Sequence, residues 1–258
     1  MQQIYAPILS NEEVMPQTYL LWAEAPQIAA GARPGQFVMV RCGEGYDPLL
    51  RRPLSIHRVA KGEEGKPSQI ALLYAVRGRG TRWLASRQEG ELIDLLGPLG
   101  RGFQLQRASR NLLLVAGGIG VAPLAFLADE AVASGRAVAM LIGGGTASEI
   151  YPSYLLAPEV ELVIATEDGS AGRKGLVTDL LPGYIDWADQ VFACGPMPMY
   201  RAIAAVTANM LPRKATQVLL EVPMACGLGV CYGCTVETKR GPKLVCKDGP
   251  RFELSEVI

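Results

Sequence analysis

Along the first hundred residues, apolar and polar positions alternate in short runs. QFVMVRC (36–42), LSIHRV (54–59) and IALLYAV (70–76) carry the pattern, separated by the breakers GARPG, KGEEGKPS and a Gly/Arg stretch near residue 78. A period of two puts every second side chain on one face of a sheet, so each run predicts a strand with one buried and one solvated face. With no good helical stretch between them, these strands predict a small antiparallel barrel or sandwich ending near DLLGPLGRGF, residues 94–103.

From residue 111 the pattern changes. NLLLVA (111–116), AVAMLIG (137–143), VELVIAT (160–166) and QVFACG (190–195) are near-continuous apolar runs, which predicts strands covered on both faces. Segments able to form helices, 124–134 and 199–210 among them, lie between the runs, so a parallel sheet flanked by helices is expected. The run LLLVAGGIGVAPLAFLA is uncharged for 17 residues, but its glycines and Pro123 divide it into strand, turn and helix start. A soluble protein is expected. The boundaries that follow are 1–105, 106–215 and 216–258; the last piece is too short to build a core without a staple.

Composition narrows the function. The 258 residues hold 25 basic and 25 acidic side chains with no run of like charge, which argues against nucleic acid or an anionic membrane surface and for small-molecule chemistry. MQQIYAPILSNEE has no secretory signal pattern, so a reducing cytoplasmic compartment is expected, where clustered cysteines bind metal or do redox chemistry. His57 is the only histidine and no G-x-S-x-G elbow occurs, which leaves little material for a hydrolytic triad. A partly buried strand residue is the default for that histidine.

Four of the six cysteines fall in the last piece. Cys226, Cys231, Cys234 and Cys246 read C-x4-C-x2-C-x11-C, and the first three match the plant-type spacing for a [2Fe–2S] cluster. Gly227, Gly229 and Gly233 permit positive φ and let amides approach sulfur. TVETKRGPKLVC predicts a hairpin turning near Arg240 and Gly241 that sets Cys246 opposite Cys234. Zinc is a competing reading, weakened because only Cys231 and Cys234 form a CxxC knuckle; a disulfide pair and inert buried thiols, the reading given to Cys42, are others.

VAGGIGVAP (115–123) follows a predicted buried strand and opens a predicted helix, where glycines let a phosphate reach helix N-terminal amides. Gly118 and Gly120 fit the dinucleotide fingerprint and Pro123 replaces its third glycine, so a purely structural turn stays open as an alternative. The following strand end, GGGTASEI, has no arginine or lysine for a 2′-phosphate; this favours NADH over NADPH, with Glu149 the nearest acid for a ribose. RRPLSIH (51–57) and GRGT (78–81) could meet a pyrophosphate or form solvated loops.

Together these stretches resemble the ferredoxin-reductase-like flavoproteins and, within them, the electron-transfer subunits of class 1B dihydroorotate dehydrogenase. PGQFVMV, RPLS, GPLGRGF, DGSAGRKGLVTDLL, GGIGVAP, CGPMPM and the cysteine loop carry the likeness over nearly the whole chain. It implies a multi-domain fold: an N-terminal antiparallel β-barrel that binds FAD, a central α/β parallel-sheet domain that binds NAD, and a small C-terminal [2Fe–2S] cluster domain. It implies flavin contacts at Arg52, Pro53, Leu54 and Ser55, then at Leu73, Tyr74 and Ala75, with Gly80 and Thr81 beside the pyrophosphate. Gly118 and Gly120 would bind the pyridine nucleotide, Cys194 would stand beside the nicotinamide as a catalytic neighbour, and Cys226, Cys231, Cys234 and Cys246 would ligate the cluster. The implied activity is an NAD-linked flavoprotein oxidoreductase. It would pass single electrons to an FMN-containing dihydroorotate dehydrogenase catalytic subunit of pyrimidine biosynthesis, in a heterotetramer of two of each. A related reductase subunit serving ferredoxin or sulfide and polysulfide chemistry is the alternative within the same module, and a zinc-stapled nucleotide sensor the alternative outside it.

Overall fold

The computed structural model describes residues 1–62, 65–208, 210 and 214–258. Glu63 and Glu64 of the breaker KGEEGKPS, and Asn209 near the end of the helix expected over 199–210, lie outside the described residues. Six strands, β1 (Gln2–Met15), β2 (Thr18–Glu24), β3 (Phe37–Val40), β4 (Arg52–Lys61), β5 (Pro67–Ala75) and β6 (Leu92–Leu99), close a barrel in the order β1-β2-β5-β4-β3-β6. All its pairings are antiparallel. The 14-residue β1 closes it: residues 2–7 pair with β6, and beyond a bulge at Ile8/Ser10 the strand pairs with β2.

Two short helices, α1 (Pro26–Ala29) and α2 (Arg79–Ala85), interrupt the barrel where the periodicity predicts none. Each contributes a wholly buried side chain, Ile28 and Leu84, to the barrel core. A helix of one or two turns is too short to show a 3.6-residue period. Arg51 and Asp94 form a bidentate ion pair with Nη2 to Oδ2 at 2.6 Å, and Gln3 donates to both carboxylate oxygens; the pair ties the lead-in to β4 to β6 and β1.

The second unit is a seven-stranded sheet in the order β10-β9-β8-β7-β11-β12-β15. Its strands are β7 (Asn111–Gly117), β8 (Ala137–Gly144), β9 (Val160–Thr166), β10 (Arg173–Lys174), β11 (Gln190–Cys194), β12 (Ala215–Leu219) and β15 (Arg251–Glu253). Pairing is parallel except between β12 and β15. The continuous apolar run of β7 has its predicted cause: Leu112 and Leu114 pack toward the core that holds α3 (Val121–Ala133), whereas Leu113 and Val115 pack into the core shared with α4 (Met197–Thr207). Two buried glutamines, Gln190 and Gln217, clasp the main chain of Gln104 and Gln106, which fastens the connection out of the barrel to the sheet.

The C-terminal piece is not held by its cysteines alone. It forms a small hairpin, β13 (Thr235–Thr238) with β14 (Gly241–Leu244), then α5 (Val245–Asp248), β15 and α6 (Leu254–Val257). Both β12 and β15 belong to the central sheet, so the sheet extends across residue 216, and Val245, Phe252 and Leu254 are buried in its core. Barrel residues Phe37, Met39 and Leu99 join that same core. No helix among the described residues is long and apolar enough to cross a membrane.

Candidate functional site

Where barrel and sheet meet, β4 and β5 line one side of a cavity of about 560 Å³. Pro53, Leu54, Ser55, Leu73, Tyr74 and Ala75 lie on its wall, so six of the residues expected to contact a flavin come together. The strand period divides their roles. Leu73 packs toward the α/β side, whereas the Tyr74 ring turns into the barrel core, 5.9 Å from Tyr19, with its hydroxyl donating to Asn11 Oδ1. Tyr74 thus offers the cavity its main chain.

Arg52, Gly80 and Thr81 lie alongside rather than on the wall. A Cβ on Gly80 would sit 3.0 Å from Arg52 Nε, so the glycine makes room for the guanidinium, whose Nη1 donates to the Leu50 carbonyl. The Thr81 hydroxyl accepts from the amides of Arg77 and Gly78, at 2.9 and 3.2 Å, and so caps α2. It holds in place the turn expected to meet a pyrophosphate. Arg77 supplies a cation on the cavity wall that the sequence reading did not single out.

A second cavity of about 480 Å³ opens over Gly117, Ile119, Gly120, Gly195, Pro196 and Met197. Gly120 is there by close approach: a Cβ would lie 2.0 Å from the carbonyl oxygen of Cys194. Gly118 instead takes a positive φ of 55° over open space and turns the chain from β7 into α3. The strand–glycine turn–helix context required for a nucleotide loop is therefore present. Glu149 places its carboxylate on the Gly145 amide at 2.8 Å, at the end of β8.

The two cavities share Ile119, Leu220, Glu221 and Val222. Cys194, expected to be a catalytic neighbour, is wholly buried and on neither wall; its Sγ donates to Glu221 Oε1 at 3.6 Å. Glu221 is the acid that faces both spaces. Burial pushes its carboxyl above the ordinary glutamate range against the opposing hydrogen bond from Cys194. Burial likewise raises the Cys194 thiol, reinforced by the charge of Glu221, so it remains a thiol. Tyr200 completes the group, donating to the Leu219 carbonyl and accepting from the Gly195 amide. No motif flagged Glu221, because its significance depends on β12 ending beside β11.

Met224 lines the first cavity, and Cys226 follows two residues on, at most about 7 Å of extended chain. The loop beyond it curls on Gly227 and Gly229, with φ of 71° and 77°, and presses Gly227 against Met39 and Leu99 of the barrel. Gly233 does not take a positive φ; Tyr232 does, at 60°. The hairpin forms as expected, but Thr235 pairs with Leu244, so Val245 faces Cys234 and Cys246 lies within the turn of α5. The Cys246 amide still reaches Cys234 Sγ at 3.5 Å.

All six cysteines are free. Among the described residues no group of three or more His, Cys, Asp and Glu side chains closes to the distances of a metal ion. The four thiols fall into two neighbouring pairs, Cys226 beside Cys231 and Cys234 beside Cys246, with Cys231 acting on the titration of Cys226 and Cys234 on that of Cys246. Amides of Leu228 and Gly233 point at Cys226 and Cys231 Sγ, 3.3 and 3.5 Å away. For Cys226, burial is outweighed by the amides of Leu228, Val230 and Cys231, which bring the thiol down to about 6; burial and the neighbouring Cys234 push Cys246 up to about 12. Two pairs of sulfur donors with amides aimed at sulfur fit a two-iron cluster, which takes two thiolates per iron.

A closed barrel set against a nucleotide-binding sheet, with a cysteine loop at their junction, is the architecture of ferredoxin-reductase-type electron-transfer proteins. The iron–sulfur cluster binding domain of dihydroorotate dehydrogenase B matches residues 221–258. The sequence is 37% identical over 266 residues to the dihydroorotate dehydrogenase B (NAD(+)) electron transfer subunit of Bacillus cereus (strain B4264), covering 100% of this chain and 99% of that one. It is 39% identical over 260 residues to the subunit of the same description from Desulforamulus reducens, covering 98% and 97%. The chain belongs to this family of electron transfer subunits.

Among solved structures, the NADH-dependent reduced ferredoxin-NADP oxidoreductase studied for flavin-based electron bifurcation is similar with a TM-score of 0.85 at 29% identity, covering 99% of this chain and 90% of that one. A ferredoxin NADP+ reductase from Neisseria gonorrhoeae with bound FAD and NADP shares the fold, with a TM-score of 0.66 at 17% identity and coverage of 86% and 98%.

Proposed function

We propose that this chain exchanges hydride with NAD(H) at an FAD held between β4, β5 and the 220–224 segment. From there it passes single electrons through a [2Fe–2S] cluster on Cys226, Cys231, Cys234 and Cys246 to an FMN-containing dihydroorotate dehydrogenase catalytic subunit. Two copies of each subunit form the assembly, in the cytoplasm. The carrying observation is continuity: the cavity walled by the flavin strands shares Ile119 and Leu220–Val222 with the cavity over the glycine loop, and its wall runs through Met224 into the cysteine loop. Bound there, FAD and the cluster supply the conversion between a two-electron hydride donor and a one-electron path.

The chain's own residues bind and orient. Leu54, Ser55 and Leu73 wall the flavin cavity, Arg77 meets the pyrophosphate, and Gly118 and Gly120 let the dinucleotide approach the start of α3. Glu221 presents its carboxyl at the nicotinamide, backed by Cys194. The absence of arginine and lysine from the strand end GGGTASEI and the carboxylate of Glu149 favour NADH over NADPH.

The test is anaerobic purification with iron, acid-labile sulfide and flavin analysis, followed by NADH oxidation with and without the partner recovered from native extract. Flavin and two irons per chain, dye reduction by NADH, and dihydroorotate turnover only with the FMN-bearing partner are expected. Material lacking iron and labile sulfide even after reconstitution would refute the assignment. The 29% identity with an NADH-dependent ferredoxin-NADP oxidoreductase carries the second reading, a sister subunit feeding ferredoxin or sulfide chemistry. Orotate-independent reduction of a carrier protein would select it.

A further inference from the structure

His57 is the chain's one histidine, and it is wholly buried between the barrel and the sheet. Its Nδ1 lies 2.8 Å from the Ala122 carbonyl oxygen, in the first turn of α3, and its Nε2 lies 2.8 Å from the Tyr151 hydroxyl, beyond β8. The Tyr151 ring meets the imidazole edge-on, with centroids 5.6 Å apart. A carbonyl can only accept, so Nδ1 carries the proton, Nε2 is the acceptor and Tyr151 donates. Of the two neutral tautomers only Nδ1–H satisfies both partners, and burial keeps the ring neutral.

The backbone is built to aim this side chain. In the β4–β5 ladder Ile56 faces Leu72 and Arg58 faces Ala71, so His57 is the extra residue of a β-bulge. Ile56 remains in the barrel core, while His57 and Arg58, successive residues, both turn to α3. Arg58 Nε donates to Asp129 Oδ2 at 2.7 Å, two turns along the helix from Ala122. A regular strand would have sent one of the two inward.

These contacts link three parts of the proposed site. His57 is two residues from Ser55 on the flavin cavity wall; Ala122 is on the opposite part of that wall and two residues beyond Gly120; Tyr151 follows the segment bearing Glu149. The gap between flavin strand and nucleotide loop is therefore spanned by one rigid ring with a hydrogen bond at each nitrogen. Hydride transfer depends steeply on such a gap, since a misplacement of about 1 Å can cost on the order of 100-fold in rate.

We propose that His57 is a positioning residue: it fixes α3 and the glycine loop against the flavin strand and thereby sets the approach of the nicotinamide to the flavin. The inference rests on the function proposed above.

The experiment is anaerobic stopped-flow reduction of the purified FAD- and iron-loaded protein by NADH and by NADH deuterated at C4, for His57→Leu, His57→Asn and Tyr151→Phe. Leucine fills the volume without polar atoms, and asparagine keeps a donor for the Ala122 carbonyl. His57→Leu should lose about 10-fold or more in the limiting rate, with FAD content retained, NADH Kd moved by less than about 3-fold, and an altered isotope effect. His57→Asn should recover most of the rate. Equal rates and isotope effects in wild type and His57→Leu overturn the proposal, as does a loss explained wholly by FAD content. Should His57→Leu fail to fold, Tyr151→Phe decides: slowing by about 2-fold or more supports the proposal and a wild-type rate overturns it. If wild-type flavin is not reduced by NADH at all, the failure belongs to the proposed function.

Discussion

Cys194 Sγ lies 3.6 Å from Glu221 Oε1, and of the two only the glutamate reaches a cavity. The pair divides a role that the sequence assigns to the cysteine: the thiol is buried backing, and the carboxyl lines both cavities. Glu221→Gln should therefore slow flavin reduction by NADH by about 10-fold or more with FAD retained. Cys194→Ala should cost about 1 kcal/mol of stability and slow the reaction less. Single-turnover rates beside urea denaturation check this; a folded Cys194→Ala protein slower than Glu221→Gln would reverse the assignment.

The glycine loop makes opposite demands at neighbouring positions. A Cβ at Gly120 would sit 2.0 Å from the Cys194 carbonyl oxygen, so Gly120→Ala should cost more than about 3 kcal/mol or prevent folding. Gly118→Ala meets open space and carries only the left-handed backbone penalty, about 1 kcal/mol, and Gly118→Asn less. Denaturation midpoints should rank the variants in that order.

Removing iron should loosen the loop and spare the tail. Strand β15 is paired with β12, and Phe252 and Leu254 are buried in the central core, so burial retains these residues without the thiols. After chelation, amides over 226–233 should exchange rapidly in a hydrogen-exchange experiment while Val218 and Phe252 stay protected. Loss of protection at Phe252 would mean that iron, rather than burial, anchors the segment.

His57 gives the fold a pH slope. Burial lowers its pKa from 6.5 to about 3; the Ala122 carbonyl opposes the shift and the charge of Arg58, itself paired with Asp129, adds to it, while Tyr151 stays protonated. Between those values the unfolded chain binds a proton that the folded chain does not, so stability falls as pH drops below about 6.5. The slope is about 1.4 kcal/mol per pH unit from this group. Thermal midpoints measured from pH 7 to pH 4 should fall more steeply in wild type than in His57→Asn.

Much of the fold is written locally. The runs around Met39 and Leu72 and the continuous run of β7 announce strands, but the solvated face expected of the first two is absent. Phe37–Val40 and Ile70–Tyr74 are buried throughout, because one barrel face fills the barrel core and the other is covered by the rest of the chain. Helices α1 and α2 leave no such mark, since at four and seven residues neither is long enough to show a helical period. The four cysteines stand out because the spacing of the first three is that of a two-iron cluster loop, whereas the one-residue offset that starts α5 at Val245 depends on hairpin register.

Glu221, Arg77 and Ala122 could not be found in this way. Each acquires its place from the apposition of elements distant in the chain: β12 beside β11, α2 against Arg52, α3 against β4. His57 reads in sequence as an ordinary strand residue, and only the bulge in the β4–β5 pairing turns it across the junction.

By itself the sequence determined the order of barrel, sheet and cysteine loop, together with the spacing of the thiols and the glycines of the turn into α3, because these obey short-range rules of period, spacing and backbone freedom. The tertiary structure decided which acid lines both cavities, that the C-terminal strand completes the central sheet, and that a buried imidazole bridges β4, α3 and the segment beyond β8. Those features are contacts between segments far apart in the chain, and they exist only once burial has brought barrel and sheet together.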